Sequence, residues 1–173
     1  MSASNSQKPL FTTRSLVRGG LIAAIYVALT LIFQPISFGA IQFRIAEALT
    51  LLPILTVDAV PGLFVGCMIA NLLGGGVWFD VVLGSIATLL AAFCTRKTRK
   101  QPFLATIWPT VFNGLIVGTV VYFAYVRAPG DPVNIGTLLF NMGTVAFGEL
   151  VVCYVLGLPM VYGLKKLPKN VFE

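Results

Sequence analysis

The sequence of 173 residues contains no histidine, and only 10% of its residues are charged. Soluble domains usually carry about 25% charged residues, so this chain has too few charges to cover a surface that faces water. The absence of histidine removes the commonest metal ligand and the commonest general base. The three cysteines lie in apolar stretches at spacings that fit no metal motif, so we expect small buried hydrophobic side chains and no metal site.

Hydrophobic residues are abundant, at 57% of the chain. They are grouped into apolar segments separated by turn residues, and a membrane-spanning helix needs roughly 20 mostly apolar residues. The segments cover residues 16–33, 44–55, 59–73, 80–94, 103–125 and 136–164. We predict an all-α integral membrane protein, a bundle of six transmembrane helices. It forms one domain over residues 1–173, with terminal tails at 1–13 and 165–173.

The basic residues predict the orientation of this bundle. Ten of the twelve form three clusters, located before the first segment, between the fourth and fifth, and after the sixth. Six crossings place all three clusters on one side, and the positive-inside rule makes that side the cytoplasm. Both termini are therefore expected inside the cell. The net charge of +6 is explained by topology, so we expect no nucleic-acid partner.

Charged side chains within apolar segments are costly and often functional. Arg44 and Glu47 are three residues apart, so they either pair on one helix face or bind a ligand. Glu149 has no basic residue three or four positions away, which leaves a bond across helices or a role in binding. Asp80 follows Trp78 and Phe79 and either caps a helix or contacts a ligand.

Uncharged polar residues also interrupt the apolar segments. Asn71, Asn113 and Asn141 either join helices by hydrogen bonds or line a pocket. Asp58 is expected to cap the third segment. The polar residues together suggest a pocket open to the outside, whose carboxylates suit a cation or a ligand rich in N–H donors. Nearby aromatic rings suit a flat ligand.

Small residues recur every four positions in three segments, a pattern that allows close helix packing in lipid. In the third and fifth segments we expect packing inside the bundle, at Gly62 and Gly66 and at Gly114 and Gly118. In the first segment, small residues at Gly20, Ala24 and Ala28 could face either the bundle or a partner protein.

Three blocks in order resemble signature stretches of the QueT family. They are Phe43-Arg44-Ile45-Ala46-Glu47-Ala48-Leu49-Thr50-Leu51-Leu52-Pro53, then Pro61-Gly62-Leu63-Phe64-Val65-Gly66 with Ala70-Asn71-Leu72-Leu73-Gly74-Gly75, then Gly84-Ser85-Ile86-Ala87-Thr88-Leu89-Leu90-Ala91-Ala92. The resemblance implies a substrate-binding S-component of an energy-coupling factor (ECF) transporter in the bacterial plasma membrane. The implied substrates are queuosine precursors, 7-deazaguanine bases such as preQ0, preQ1 or queuine.

The resemblance also implies partners and roles for residues. Ala24 and Ala28 match a family motif that docks on a transmembrane coupling subunit, and two cytoplasmic ATPases drive the cycle. The chain has no G-x-x-x-x-G-K-[ST] loop, so we expect no cofactor here and ATP use by the partners. The loop of residues 34–42 would cover the pocket, as the equivalent loop does in S-components.

The hydrogen-bonding groups and the flat ring of a deazaguanine suggest a role for each candidate residue. Glu47, Asp80 or Glu149 would accept hydrogen bonds from the base edge, and Trp78 or Phe79 would stack on the ring. Asn141 would bond the ring carbonyl or a ring nitrogen.

Three other functions compete with this interpretation. An S-component for another vitamin would share the fold. A stand-alone secondary transporter is disfavoured by the short chain and the absence of a clear inverted repeat. An intramembrane enzyme is disfavoured because the sequence offers no pairing of nucleophile and base and no metal cluster.

Overall fold

The structure, a computed structural model, describes residues 12–37, 43–168 and 172. These residues form helices and turns, with no strand among them. The six main helices are α1 (Thr13–Ile32), α2 (Ile45–Ile54), α3 (Ala59–Leu73), α4 (residues 80–97), α5 (Pro102–Val126) and α6 (Ile135–Leu164). A short helical turn, Gln34–Ser37, follows α1. Each predicted segment therefore contains one helix.

The ends of these helices follow from local chemistry. The Thr12 hydroxyl accepts a hydrogen bond from the Ser15 N–H at 3.2 Å, so α1 begins three residues before the predicted start at residue 16. After α3 the chain turns at Gly75, whose φ of +79° is disfavoured for residues with a side chain. Gly130 has a φ of +94° and makes the equivalent turn between α5 and α6.

Helix α2 lies at the centre of the bundle and contacts each of the other five helices. Its residues from Ala46 to Ile54 are all buried. It is wound as a 3-10 helix over ten residues, although such runs rarely exceed three or four. At about 2 Å per residue it spans about 20 Å, less than the hydrocarbon thickness of about 30 Å. Surrounding helices therefore shield it from lipid.

Three of the longer helices contain wide π-helical turns, which interrupt the α-helical hydrogen-bond pattern. These turns are Asp80–Gly84 in α4, Asn113–Val117 and Tyr122–Val126 in α5, and Cys153–Gly157 in α6. Such turns often occur at functional sites. Two of them begin at Asp80 and Asn113, which are candidate binding residues.

The exterior of the bundle is apolar and its interior is unusually polar. Leu21 and Phe140 are 59% and 70% exposed, whereas Glu47 and Asn71 are 1% and 0% exposed. This is the arrangement expected in a membrane, where apolar side chains face the lipid and polar side chains pair with one another inside the bundle. Helices α1, α5 and α6 are long and apolar enough to cross a membrane. Six crossings and the side of the termini stay predictions.

Close contact between α1 and α3 uses the small residues of α3. A Cβ added at Gly62 would lie 2.6 Å from the carbonyl oxygen of Gly19, and one at Gly66 would lie 3.0 Å from Cα of Ala23. The same close packing joins α5 to α6, where a Cβ at Gly118 would lie 2.5 Å from an α6 backbone atom. These glycines pack inside the bundle, as predicted.

The opposite face of α1 is exposed. It carries the three residues assigned to partner docking, Gly20, Ala24 and Ala28. A Cβ at Gly20 would meet no atom within 4 Å. The position of these residues leaves room for a partner, and the docking itself stays a prediction.

The three basic clusters meet at one end of the bundle, here called the basic end. Arg18 of α1, Arg96 of α4 and Lys165 after α6 line one cavity there. Asp58 precedes α3 at this end, but its side chain makes no capping bond to that helix. It instead accepts a hydrogen bond from the Ser15 hydroxyl and pairs with Arg18 at 3.4 Å, so the capping role predicted for Asp58 is wrong.

Candidate functional site

The first turn of α2 carries the buried ion pair that the spacing of Arg44 and Glu47 allowed. Arg44 Nη1 lies 3.8 Å from Glu47 Oε1, and the residues are 5% and 1% exposed. The hydroxyl of Tyr26, on α1, donates a hydrogen bond to the same Glu47 oxygen. A buried ion pair needs such added hydrogen bonds to offset the cost of removing both charges from water.

Glu149 forms its bond across helices, one of the two alternatives left open by the sequence. Asn113 Nδ2 on α5 donates to Glu149 Oε1 on α6 at 2.9 Å. Both residues are buried. The bond links two long helices next to α2.

These four polar residues come together around one cavity. Arg44, Glu47, Asn113 and Glu149 line it with two apolar residues of α5 and α6, Val117 and Val145. Its volume is about 10 Å³, at the lower limit for a single water molecule. A ligand the size of a nucleobase therefore enters this cluster only if the surrounding helices move apart. We call the four polar residues the central cluster.

Cys67 connects the central cluster to a second group of buried polar residues, Asn71, Asp80 and Thr88. Its sulfur accepts hydrogen bonds from Thr88 Oγ1 at 3.3 Å and Asn71 Nδ2 at 3.5 Å, and it lies 4.0 Å from Arg44 Nη1. Cys67 is fully buried, as predicted, but its surroundings are polar rather than purely apolar.

Asp80 belongs to this second group and is 2% exposed. Asn71 Nδ2 donates to its backbone oxygen at 3.2 Å, and its side chain makes no capping bond. Its carboxylate lies between two glycines, because a Cβ added at Gly84 or Gly76 would come within 3.2 or 3.3 Å of its oxygens.

Buried acceptor atoms without a hydrogen bond give this region its chemical character. Among the described residues these oxygens are Glu47 Oε2, Asn71 Oδ1, Asp80 Oδ1 and Asn113 Oδ1. Leaving a buried acceptor unsatisfied costs about 1–3 kcal/mol. All four are acceptors, so N–H donors of a ligand, or ordered water, would satisfy them.

Residues 16–166 match the family model described as QueT transporter. The chain belongs to the QueT transporter family. The resemblance found in the sequence is confirmed, and the family together with the apolar helices identifies a membrane protein.

A curated relative of this family member is the queuosine precursor transporter QueT of Lactococcus lactis subsp. cremoris (strain MG1363). The two sequences are 36% identical over 80 residues. The match covers 45% of this chain and 47% of the relative, so the chain spans about half the length of the relative it matches. No solved structure matches the chain.

Three candidates of this QueT family member lie apart from the central cluster. Trp78 and Phe79 are 71% and 65% exposed and line an apolar groove beside α5, with a volume of about 750 Å³. Asn141 Nδ2 donates to the Thr137 carbonyl of its own helix at 2.8 Å. The structure does not bring these residues to the cavity, and their contacts with a ligand stay predictions. Residues 38–42 of the predicted covering loop lie outside the described residues.

Sequence reasoning missed two residues of the site, Tyr26 and Thr88. Tyr26 belongs to the buried stripe of α1, whose members are Gly19, Ala23, Tyr26 and Thr30. This helical spacing was a usable signal, since a tyrosine on a buried face needs a partner for its hydroxyl. Thr88 gave no comparable signal, because threonine also bonds to its own helix, as it does here to Gly84.

Proposed function

We propose that this chain binds a queuosine precursor, a 7-deazaguanine base, and carries it into the cell. The observation that carries the proposal is the set of buried, unsatisfied acceptor oxygens on Glu47, Asn71, Asp80 and Asn113. Membership of the QueT transporter family and the name of the Lactococcus relative support the same substrate class.

The chemistry of the base fits these acceptors. A 7-deazaguanine presents its ring N1–H and its exocyclic amine on one edge, and a carboxylate accepts a hydrogen bond from each. Glu47 and Glu149 line the same cavity, so either can serve as that carboxylate. Asp80 would act from the neighbouring group. The buried carboxylates would thus act as acceptors, and the amide of Asn113 would orient Glu149.

Delivery across the membrane requires a second component in this account. We infer that the chain is an ECF S-component with six crossings and both termini in the cytoplasm of a bacterial cell, and that it is not an enzyme. The exposed small face of α1, with Gly20, Ala24 and Ala28, would dock on a transmembrane coupling subunit. Two ATPase subunits would supply the energy, since this chain carries no phosphate-binding loop.

A binding measurement tests the substrate class. The purified chain in detergent would be titrated by calorimetry with preQ0, preQ1 and queuine, and in parallel with riboflavin and folate. We expect saturable binding of at least one deazaguanine and none of the vitamins. Binding of a vitamin without binding of any deazaguanine would instead identify an S-component for another substrate.

An uptake measurement with a matched pair of variants tests the coupling. Gly20→Leu and Gly143→Leu both enlarge an exposed helical glycine that has no atom near its Cβ position, and only Gly20 lies on the proposed docking face. In vesicles containing the chain and its coupling module, Gly20→Leu should abolish ATP-driven uptake while Gly143→Leu retains it. Uptake by vesicles that hold this chain alone would refute the coupled mechanism.

A further inference from the structure

The basic end of the bundle contains a large cavity that the proposed transport function does not use. Its volume is about 1100 Å³. It is lined by the start of α1, the α2–α3 junction, the end of α4 and the segment after α6. A cavity of this size accommodates a phospholipid headgroup or a comparable anion.

The charge of the described lining residues is strongly unbalanced. Five are cationic, and one, Asp58, is acidic. The cationic residues are Arg14, Arg18, Arg96, Arg99 and Lys165. Asp58 is already engaged by Arg18 at 3.4 Å and by the hydroxyl of Ser15. Arg96, Arg99 and Lys165 thus outnumber the acidic side chains among the described lining residues, and an anion would balance that excess.

The backbone contributes to this positive charge in two ways: it holds the Arg96 guanidinium in position, and it places a helix N-terminus at the cavity. Arg96 Nη1 donates to the carbonyl oxygens of Pro53 and Ile54, at 3.0 and 3.5 Å, so its guanidinium is held at the cavity wall. The first turn of α1, at Thr12 and Ser15, also lines the cavity. The N-terminal end of a helix carries partial positive charge and adds to the attraction for an anion.

Apolar side chains adjoin the cationic ones. Val57 lines the cavity and is 58% exposed, and Leu167 lines it at 46%. Val57 and Leu167 therefore lie in the same cavity as the arginines and Lys165. A membrane lipid presents a phosphate next to acyl chains, and this surface presents cations next to apolar side chains.

We propose that this cavity binds the phosphate headgroup of an anionic phospholipid, with Arg96, Arg99 and Lys165 contacting the phosphate and the acyl chains lying against Val57 and Leu167. Basic pockets between transmembrane helices suit such headgroups, and guanidinium groups bind phosphate oxygens through paired hydrogen bonds.

Two double variants with the same change in net charge test this site. Arg99→Gln with Lys165→Gln removes two charges from the cavity wall, whereas Lys100→Gln with Lys166→Gln removes two neighbouring charges that do not line it. All four residues are exposed, so both variants should fold. The full chain in detergent would be titrated with phosphatidylglycerol and with phosphatidylcholine, and bound lipid counted by native mass spectrometry.

We expect phosphatidylglycerol to bind the unmodified chain at least about tenfold more tightly than phosphatidylcholine does. The cavity variant should lose about tenfold in affinity for phosphatidylglycerol and the control variant almost none. Equal losses in the two variants would show a diffuse surface charge and overturn the proposal. Full displacement of phosphatidylglycerol by millimolar inorganic phosphate would also overturn it, because the site would then be one for the free anion.

Discussion

The two ends of α2 place cationic side chains in opposite surroundings. At its N-terminal end, Arg44 is 5% exposed and pairs with Glu47 beside a cavity of about 10 Å³. At its C-terminal end, Arg96 donates to the carbonyls of Pro53 and Ile54 and lines a cavity of about 1100 Å³.

The contrast concerns how strongly a charge at each end of α2 depends on its neighbours. At the buried end each charge depends on specific neighbours, because few other groups can replace water there. At the open end water and salt screen the charges, so a single residue matters less and the sum of charges matters more. Replacing single residues at the two ends should therefore change stability by very different amounts.

Replacing the buried arginine should produce the largest effect on stability. Arg44→Gln leaves Glu47 buried without its cation, which should cost about 3–5 kcal/mol of unfolding free energy. Thermal unfolding in detergent would measure this loss. Lys100→Gln, at an exposed cation outside the cluster, should change stability by only about 0.5 kcal/mol. Equal losses of stability in the two variants would contradict the expectation that a charge at the buried end depends on specific neighbours.

Replacing a tyrosine hydroxyl should produce an intermediate effect. Tyr26→Phe keeps the buried ring but removes the hydrogen bond to Glu47, at a cost of about 1–3 kcal/mol. Tyr122→Phe is the matched control, since Tyr122 is also buried and accepts a bond from the Asn134 N–H at 2.7 Å.

The two tyrosine variants should differ in ligand affinity. Only Tyr26→Phe alters the carboxylate proposed to hold the base, so it alone should weaken deazaguanine binding in calorimetry. Loss of binding in Tyr122→Phe and not in Tyr26→Phe would move the site toward the loop between α5 and α6.

Removing the arginine at the open end should produce the smallest effect. Arg96→Gln loses the bonds to Pro53 and Ile54, but Ile54 lines the open cavity, where water can take the place of the guanidinium, so we expect a loss of about 1 kcal/mol. In a chain of this size that lowers the melting temperature by about 2–4 °C. A loss as large as that of Arg44→Gln would show that both ends of α2 are equally dependent on single charges.

Much of the helical layout could be predicted because apolar segments end at proline and glycine turns. The predicted segment 59–73 coincides with α3, and the segment 103–125 differs from α5 by one residue at each end. The pairing of Arg44 with Glu47 was one of the two alternatives that their spacing left open, since residues three apart share a helix face.

The contacts between helices could not be predicted in the same way. The bond from Asn113 to Glu149 joins residues far apart in sequence, and it depends on which faces of α5 and α6 meet. Adjacency in sequence was also a poor guide to which aromatic ring lies near the buried acids. Trp78 and Phe79 precede the buried Asp80, yet both point away from the interior because successive helical side chains project in different directions.

The most direct test of the central cluster is the affinity of carboxamide variants for a deazaguanine. Glu47→Gln, Asp80→Asn and Glu149→Gln would be titrated by calorimetry beside Asp131→Asn, an exposed acid on the loop before α6. We predict a loss of at least about tenfold in Glu47→Gln or Glu149→Gln, about 1.4 kcal/mol, and none in Asp131→Asn. Affinity equal to that of the unmodified chain in all three buried variants would contradict binding by the buried carboxylates.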